Sequence, residues 1–368
     1  MSAQRRGPLR ERYEKRYFSA ARWIWRQFVS VSGQADAILD SVAEALVREQ
    51  SPHAGVAVSH SRVFSNPYSI VVKLSLAEPS RTVLYIKKTL SPPHRTAVVS
   101  RRIRTEFAIL NTLWNAFSKD DALAVVRPII CLPDEQILVT EECPGPTMQA
   151  LIGERGKWYS FSRDGSALRD HCRQAGYWLA RFHTITRQDD AEFDFQSLRD
   201  YCEERMAGLH ACTEAHLDAG FGDLLFKSME ILVQQLRGEK QVVTGRHNDF
   251  APHNIIISRN GICVLDFTMF DYESPFYDLC NFWVKLECLK SSPLYWHHTV
   301  SRLQQAFLDG YGGGIDCSSP LSRLVQIRFR LTRMLEAISE PASYPRKLLN
   351  RHLFNRFKQW FEMNIFVN

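Results

Sequence analysis

The sequence predicts an α+β chain of two lobes, a small β-rich lobe followed by a larger helical one. Three observations carry this. Hydrophobic spacing switches from helical to alternating near residue 60. It returns to helical after "CPGP" at 143–146. Two short apolar runs, "NIIIS" and "GICVLDF", then interrupt the helical part and follow a polar loop.

In chain order, Tyr13, Tyr17, Ala20, Ile24 and Phe28 recur at helical spacing, and "DAILDSVAEALVREQ" predicts a second helix. "YSIVVKLSL" (68–76) and "TVLYIKK" (82–88) are β-branched and aromatic and read as a hairpin across "AEPSR". Ile103, Phe107, Leu110 and Leu113 place one apolar face on a helix over 101–117. "QILVTEE" (136–142) reads as a strand, most of 147–240 as helical, and "RNG" as the turn between the two short strands. Helical pattern then resumes to the end. The expected divisions are a basic helical extension over 1–54, a β-rich lobe over 55–140 and a helical lobe over 141–368.

Composition narrows the class. The chain has 368 residues, 45% hydrophobic and 23% charged, ordinary for a soluble globular protein. No apolar run is long enough to cross a bilayer, and the first residues lack the apolar core of a signal peptide, so a cytoplasmic protein is expected. Nine cysteines without a C-x-x-C pair suggest reduced thiols. The net charge is +6. Residues 1–28 hold eight basic and two acidic residues, and the remainder is balanced at 38 of each. The charge balance does not mark the body as a polyanion binder and leaves that role open to the leading segment, and no nucleic-acid signature occurs. "HACTEAH" separates His210 and His216 by six, the wrong spacing for a zinc pair on one helix face.

"GRHNDFAPHNIII" (245–257) sets the chemical question. Phosphoryl transfer from a nucleotide needs a base at the accepting hydroxyl, oxygen ligands for a metal, a cation for the phosphates and a group to hold that cation. Asp249 suits the base, and Asn254 and Asp266 suit the hard-oxygen ligands of magnesium. Lys87, at a strand end, suits the cation, and Glu106, on the next helix, its ion-pair partner. Strand alternation puts Lys87 and Lys88 on opposite faces, so only one can serve.

His247, Asp249 and Asn254 fit H-x-D-x-x-x-x-N, and Asp266 in "VLDF" stands where kinases carry a metal-binding aspartate. With "YDL" at 277–279 and the long stretch before His247, the chain resembles the kinase-like phosphotransferases of the aminoglycoside phosphotransferase and choline kinase group, over roughly 55–310. The resemblance implies a bilobal protein-kinase-like fold, ATP with Mg2+, and a small-molecule hydroxyl acceptor. It selects Lys87, by the kinase order V-A-I-K, and it leaves His247 a structural role. It makes "VFSNPYSIVV" the phosphate-side turn, with Ser65 and Asn66 as donors, although the group's glycines are absent. It places the adenine edge at the backbone of Glu142 and Cys143, with Thr140 behind. Asn248 and Thr268 depart from the group's usual residues without removing a ligand.

The acceptor is less legible. A sugar or cell-envelope saccharide, an aminoglycoside and an amino alcohol are all consistent, as is a nucleotide-binding pseudokinase, though Lys87, Asp249, Asn254 and Asp266 are all present. Trp23 and Trp25 beside arginines, and the amphipathic "RKLLNRHLFNRFKQWFEMNIF", suggest peripheral contact with an anionic membrane at its inner face. The competing reading is that both helices pack on the protein.

Overall fold

Alternating runs bury one face and need a partner layer, and the helix before them supplies it. The structure, a computed structural model, describes residues 31–49, 53, 58–76, 82–120, 122–313, 315–339 and 342–366. The basic segment 1–28, with Trp23 and Trp25, lies outside the described residues. In order come α1 (Val31–Arg48), β1 (Val58–Asn66), β2 (Ser69–Leu76), β3 (Val83–Thr89), α2 (Thr96–Phe117), β4 (Leu123–Val125), β5 (Pro128–Leu132) and β6 (Ile137–Glu141). Then follow α3 (Met148–Arg155), α4 (Phe161–Ile185), α5 (Phe195–Ala211), α6 (Phe221–Gln234), β7 (Thr244–Arg246), β8 (Ile255–Ile257), β9 (Ile262–Val264) and β10 (Asp271–Glu273). Four helices close the chain: α7 (Phe276–Cys288), α8 (His297–Tyr311), α9 (Pro320–Ser339) and α10 (Tyr344–Asn364). The chain divides into two units, Met1–Ser118 with Val125–Cys143, and Lys119–Ala124 with Pro144–Asn368. The crossing falls inside "CPGP".

The first unit is an antiparallel sheet in the order β1-β2-β3-β6-β5. One face gathers Ile70, Val72, Leu84, Ile86, Ile137 and Val139 against Ile38, Val42 and Leu46 of α1. Each such aliphatic side chain contributes about 1.5–3 kcal/mol when fully buried. Residues 31–48 were expected in a separate extension. Their apolar face is instead part of this unit's core. On the opposite face, α2 is fixed by Ser100 Oγ donating to the Pro133 carbonyl at 2.7 Å.

In the second unit, Gly145 carries φ +152° and passes β8 so closely that a Cβ would lie 2.2 Å from the Ile257 carbonyl. Only glycine fits there. β8 and β9 form the expected hairpin, with Ile255 opposite Val264 and Ile257 opposite Ile262. β4 extends it on the β9 side. Beneath it, α4 and α8 cross through facing glycines. A Cβ on Gly176 would meet the Phe307 carbonyl at 2.0 Å, and one on Gly310 the Arg173 carbonyl at 1.9 Å. This close crossing lets Trp178, Phe250, Phe282 and Phe307 stack, with neighbouring centroids 4.2–6.4 Å apart.

α5, α6, α7, α9 and α10 share a second core. Within it Arg330, 1% exposed, bonds Glu287 at 2.5 Å and Gln326 at 2.8 Å, and lies 3.8 Å over the Trp360 ring. α10 buries Phe354, Phe357 and Phe361 in this core. The aromatic side of the C-terminal helix therefore packs on protein, not on lipid. Among the described residues no helix is long and apolar enough to cross a membrane.

Candidate functional site

The nine residues singled out from sequence fall into two groups, one in each unit. In the second unit, β7 ends at Arg246 and the polar loop begins. It is held from below by Asp278 of α7, which is 0% exposed. The His247 and Asn248 amides donate to its two oxygens at 2.7 and 3.0 Å. This pins Asn248 at φ +68°, left-handed backbone that asparagine tolerates better than most residues. Its side-chain amide donates onward to the Met269 carbonyl at 2.6 Å.

His247 is a structural tie, as its burial requires. Its Nε2 donates to the Leu265 carbonyl at 2.8 Å, and its Nδ1 accepts the Asp249 amide at 3.3 Å. The two contacts fix one tautomer. They join the residue before Asp266 to Asp249 through one ring.

Asp249 presents a divided carboxylate. His253 Nε2 lies 3.0 Å from Oδ2, and Asn254 Nδ2 donates to the same oxygen at 3.1 Å. Oδ1 takes no hydrogen bond among the described residues. Burial pushes the Asp249 carboxyl up, but the His253 hydrogen bond and charge, helped by Lys285 and His247, hold it below the usual range. It is therefore ionised and able to accept a proton near neutral pH.

The one-turn segment Pro252–Asn254 brings Asn254 back under the loop, where Nδ2 also donates to the Asp249 carbonyl at 3.0 Å. The buried amide thus leaves its Oδ1 as a neutral oxygen donor. Asp266 follows β9 at φ +64°, and Thr268 Oγ donates to its Oδ1 at 2.6 Å. The unusual Thr268 thus orients the carboxylate. An amide oxygen and a carboxylate match the few hard ligands that magnesium takes from protein. Among the described residues no three or more His, Cys, Asp or Glu gather as a metal site of the zinc kind.

In the first unit the sheet register separates the two candidate lysines. Lys87 pairs with Val71 on one side and Leu138 on the other, and Leu138 pairs with Cys131. That row lies on the face that α2 covers, since Cys131 Sγ lies 3.8 Å from the Ile103 carbonyl. Glu106, 3% exposed on α2, faces the same row. Burial and the Glu106 charge, against Arg104, hold the Cys131 thiol at about 11. Lys88 lies on the other face, with Leu84 and Ile86 above α1.

The remaining positions are partly engaged in structure. Asn66 Oδ1 accepts the Tyr68 and Ser69 amides, both at 2.8 Å, and so closes the β1–β2 turn. Ser65 is exposed beside it. The Glu142 amide donates to the Val83 carbonyl at 2.8 Å, which removes it as a donor to a base edge. Its carbonyl and Cys143 follow directly after β6. The Glu142 side chain takes Lys73 Nζ at 2.6 Å and Tyr85 OH at 3.3 Å. That hydrogen bond raises the Lys73 ammonium above its usual value, although burial opposes it.

A family model described as "Phosphotransferase enzyme family" matches residues 70–321. Among solved structures, the chain is similar to a choline/ethanolamine kinase family protein from Mesorhizobium loti, at 14% identity and TM-score 0.51, covering 89% of this chain and 96% of that one. It is similar to an ADP-bound aminoglycoside phosphotransferase at 12% identity and TM-score 0.51, covering 89% and 100%. It is also similar to choline kinase LicA from Streptococcus pneumoniae at 11% identity and TM-score 0.51, covering 87% and 99%. At these identities the likeness speaks to fold alone. No curated protein matches the chain.

Proposed function

Because the chain belongs to the phosphotransferase enzyme family, we propose that it transfers the γ-phosphoryl group of ATP to a hydroxyl of a small molecule, with Asp249 as the base. The observation that carries this reading is the divided carboxylate. One oxygen is held by His253 and Asn254, and the other is left for a hydroxyl proton. The acceptor oxygen bonds to phosphorus as its proton passes to Asp249 Oδ1. The bridging bond to the β-phosphate breaks, and ADP leaves with that electron pair.

Asn254 and Asp266 would hold Mg2+, which would supply positive charge for the phosphate oxygens. Lys87, backed by Glu106, would bind the nucleotide phosphates, with Ser65 and the β1–β2 turn beside them. The Glu142 carbonyl and the Cys143 backbone would meet the adenine edge. Lys73 would hold Glu142 in place rather than touch phosphate. A sugar-type hydroxyl compound suits the acceptor role better than a polycation, since the acids that follow the loop are engaged: the Glu273 carboxylate accepts the Ser274 amide at 3.1 Å. Asp271 is paired through both oxygens with Arg246, and Asp278 holds the loop.

The test is phosphate transfer from ATP over a panel of sugars, hydroxy acids, amino alcohols and aminoglycosides, with Asp249→Asn as the control. The variant keeps the shape and loses the proton acceptor. Transfer should fall about a hundred- to ten-thousandfold, with nucleotide affinity nearly unchanged. Near-parent turnover in the variant would place the base elsewhere, and binding of ATP without transfer to any acceptor would favour a pseudokinase.

A further inference from the structure

α4 and α8 run antiparallel through their glycine crossing, since Gly310 abuts Arg173 while Gly176 abuts Phe307. A helical side chain leans toward the N-terminus of its own helix, so Tyr311, at the end of α8, leans along α4 toward its C-terminal half. His183 stands there, two turns beyond Gly176 on the same face of α4. The Tyr311 hydroxyl lies 2.9 Å from His183 Nδ1, and the two rings meet edge to face with centroids 5.6 Å apart. On the far side of the imidazole, His183 Nε2 lies 3.5 Å from Asp278 Oδ2, the oxygen that also receives the His247 amide at 2.7 Å. One line of polar groups therefore joins α8, α4 and α7 to the loop that carries Asp249.

His183 is 3% exposed, and its Nε2 has no hydrogen-bond partner among the described residues. A contact of 3.5 Å to Asp278 does not by itself hold an imidazole in place. The shorter bond on Nδ1 does. The hydroxyl also decides what faces the carboxylate. A neutral imidazole carries one N–H. With the hydroxyl donating to Nδ1, that N–H sits on Nε2 and points at Asp278. The reverse tautomer would set a ring lone pair against a carboxylate oxygen in a buried place, which is unfavourable. A ring protonated at both nitrogens turns the same Nε2–H to Asp278. Burial, and then the Asp278 charge, push the Tyr311 phenol well above its usual value, so the hydroxyl keeps its proton at neutral pH.

We infer that Tyr311 is a positioning residue for phosphoryl transfer: its hydroxyl holds His183 with Nε2–H on Asp278, and Asp278 thereby keeps both oxygens on the loop amides. The terminal torsion of an aspartate is broad, and a third donor beside the two amides narrows it. The role rests on Asp249 being the base in that loop. It adds a control set at the end of a helix that the transfer motif does not include.

Tyr311→Phe, made in the full chain, keeps the ring and removes only the hydroxyl. It should lower kcat for transfer from ATP about three- to tenfold, with KM for ATP within about twofold of the parent. In an Asp278→Ala background the same change should have no effect, since the hydroxyl acts through that carboxylate. His183→Gln keeps an N–H for Asp278 and an oxygen for the hydroxyl, and should retain most of the transfer. His183→Leu keeps neither and should fall at least as far as Tyr311→Phe. Amide hydrogen exchange over 245–250 reads the loop without any acceptor, and in Tyr311→Phe it should quicken about three- to tenfold. Parent-like kcat and exchange in Tyr311→Phe, even with a lowered melting temperature, would overturn the inference, as would an equal loss of transfer with and without Asp278. Should Tyr311→Phe fail to fold, the two His183 variants carry the test, and equal transfer by both would overturn it. If exchange responds while the parent phosphorylates no hydroxyl compound, the reading of Asp249 fails and the positioning of the loop stands. If the parent transfers phosphate and neither kcat nor exchange responds, the positioning fails and phosphotransfer stands.

Discussion

Replacing Asp278 by alanine removes the anchor of the loop that carries the proposed base without touching that base. In the parent its two oxygens receive the His247 and Asn248 amides at 2.7 and 3.0 Å, in a position that is 0% exposed. Hydrogen bonds to a charged group contribute about 1.5–3 kcal/mol each, so losing both costs roughly 3–6 kcal/mol. Removing a buried carboxylate also recovers its desolvation penalty, and water entering the gap would re-solvate one amide. The net loss should be about 2–5 kcal/mol. Asn248 adds to the consequence. Its left-handed backbone holds strain of about 1–3 kcal/mol, and without the anchor that strain relaxes by moving the loop. A displacement of about 1 Å at Asp249 would slow transfer by about a hundredfold. Thermal melting and single-turnover transfer measure the two parts separately. Asp278→Asn keeps one acceptor oxygen and should fall between parent and alanine on both. An alanine variant that melts with the parent and transfers within a few-fold of it would refute the claim that Asp278 sets the loop.

Three further outcomes are expected. Burial pushes the Asp249 carboxyl up, but the His253 hydrogen bond together with the charges of His253, Lys285 and His247 outweighs it and holds the group below the usual carboxylate range, so activity is present above that low value and is lost as pH falls through it. His253→Ala removes the strongest lowering influence, so the acid limb of the pH–rate profile should move to higher pH; an unmoved limb would show that His253 does not act on the base. Asp266→Ala should abolish magnesium-dependent ATP binding, and equal affinity in a calorimetric titration with magnesium would remove Asp266 from the metal role. Residues 1–28 carry the whole net charge of the chain, so the full chain should sediment with anionic vesicles and be released by salt, while a chain lacking them should not; a full chain that ignores such vesicles ends the membrane proposal.

The parts of the site that could be read from sequence are those whose partners are close in the chain. His247, Asp249 and Asn254 lie within eight residues, so their spacing alone fixes a loop, and β-branched and aromatic runs announce β2, β3 and β6. Strands of three residues, such as β7 and β10, are too short to show a period. His253 stood in plain view between two named residues. Its contact with Asp249 depends on the one-turn segment at Pro252–Asn254, which reverses the chain and which no hydrophobic pattern encodes.

The parts that were hidden depend on register between distant segments. Alternation could say only that Lys87 and Lys88 oppose each other. The pairing of Lys87 with Leu138, and of Leu138 with Cys131, is what puts Lys87 on the face where Glu106 lies. Lys73 meets Glu142 across 69 positions of sequence, and neither residue is unusual in its own strand. Lys285 is the sharpest case. In "FWVKLEC" it looks like the one cation of a mostly buried helix, where a lysine normally reaches for solvent. Only the stripe begun by Asp278 and continued by Asn281 places it on the side of α7 that underlies the loop. A residue whose environment is set by three elements, the loop, α7 and α9, has no signature in any one of them.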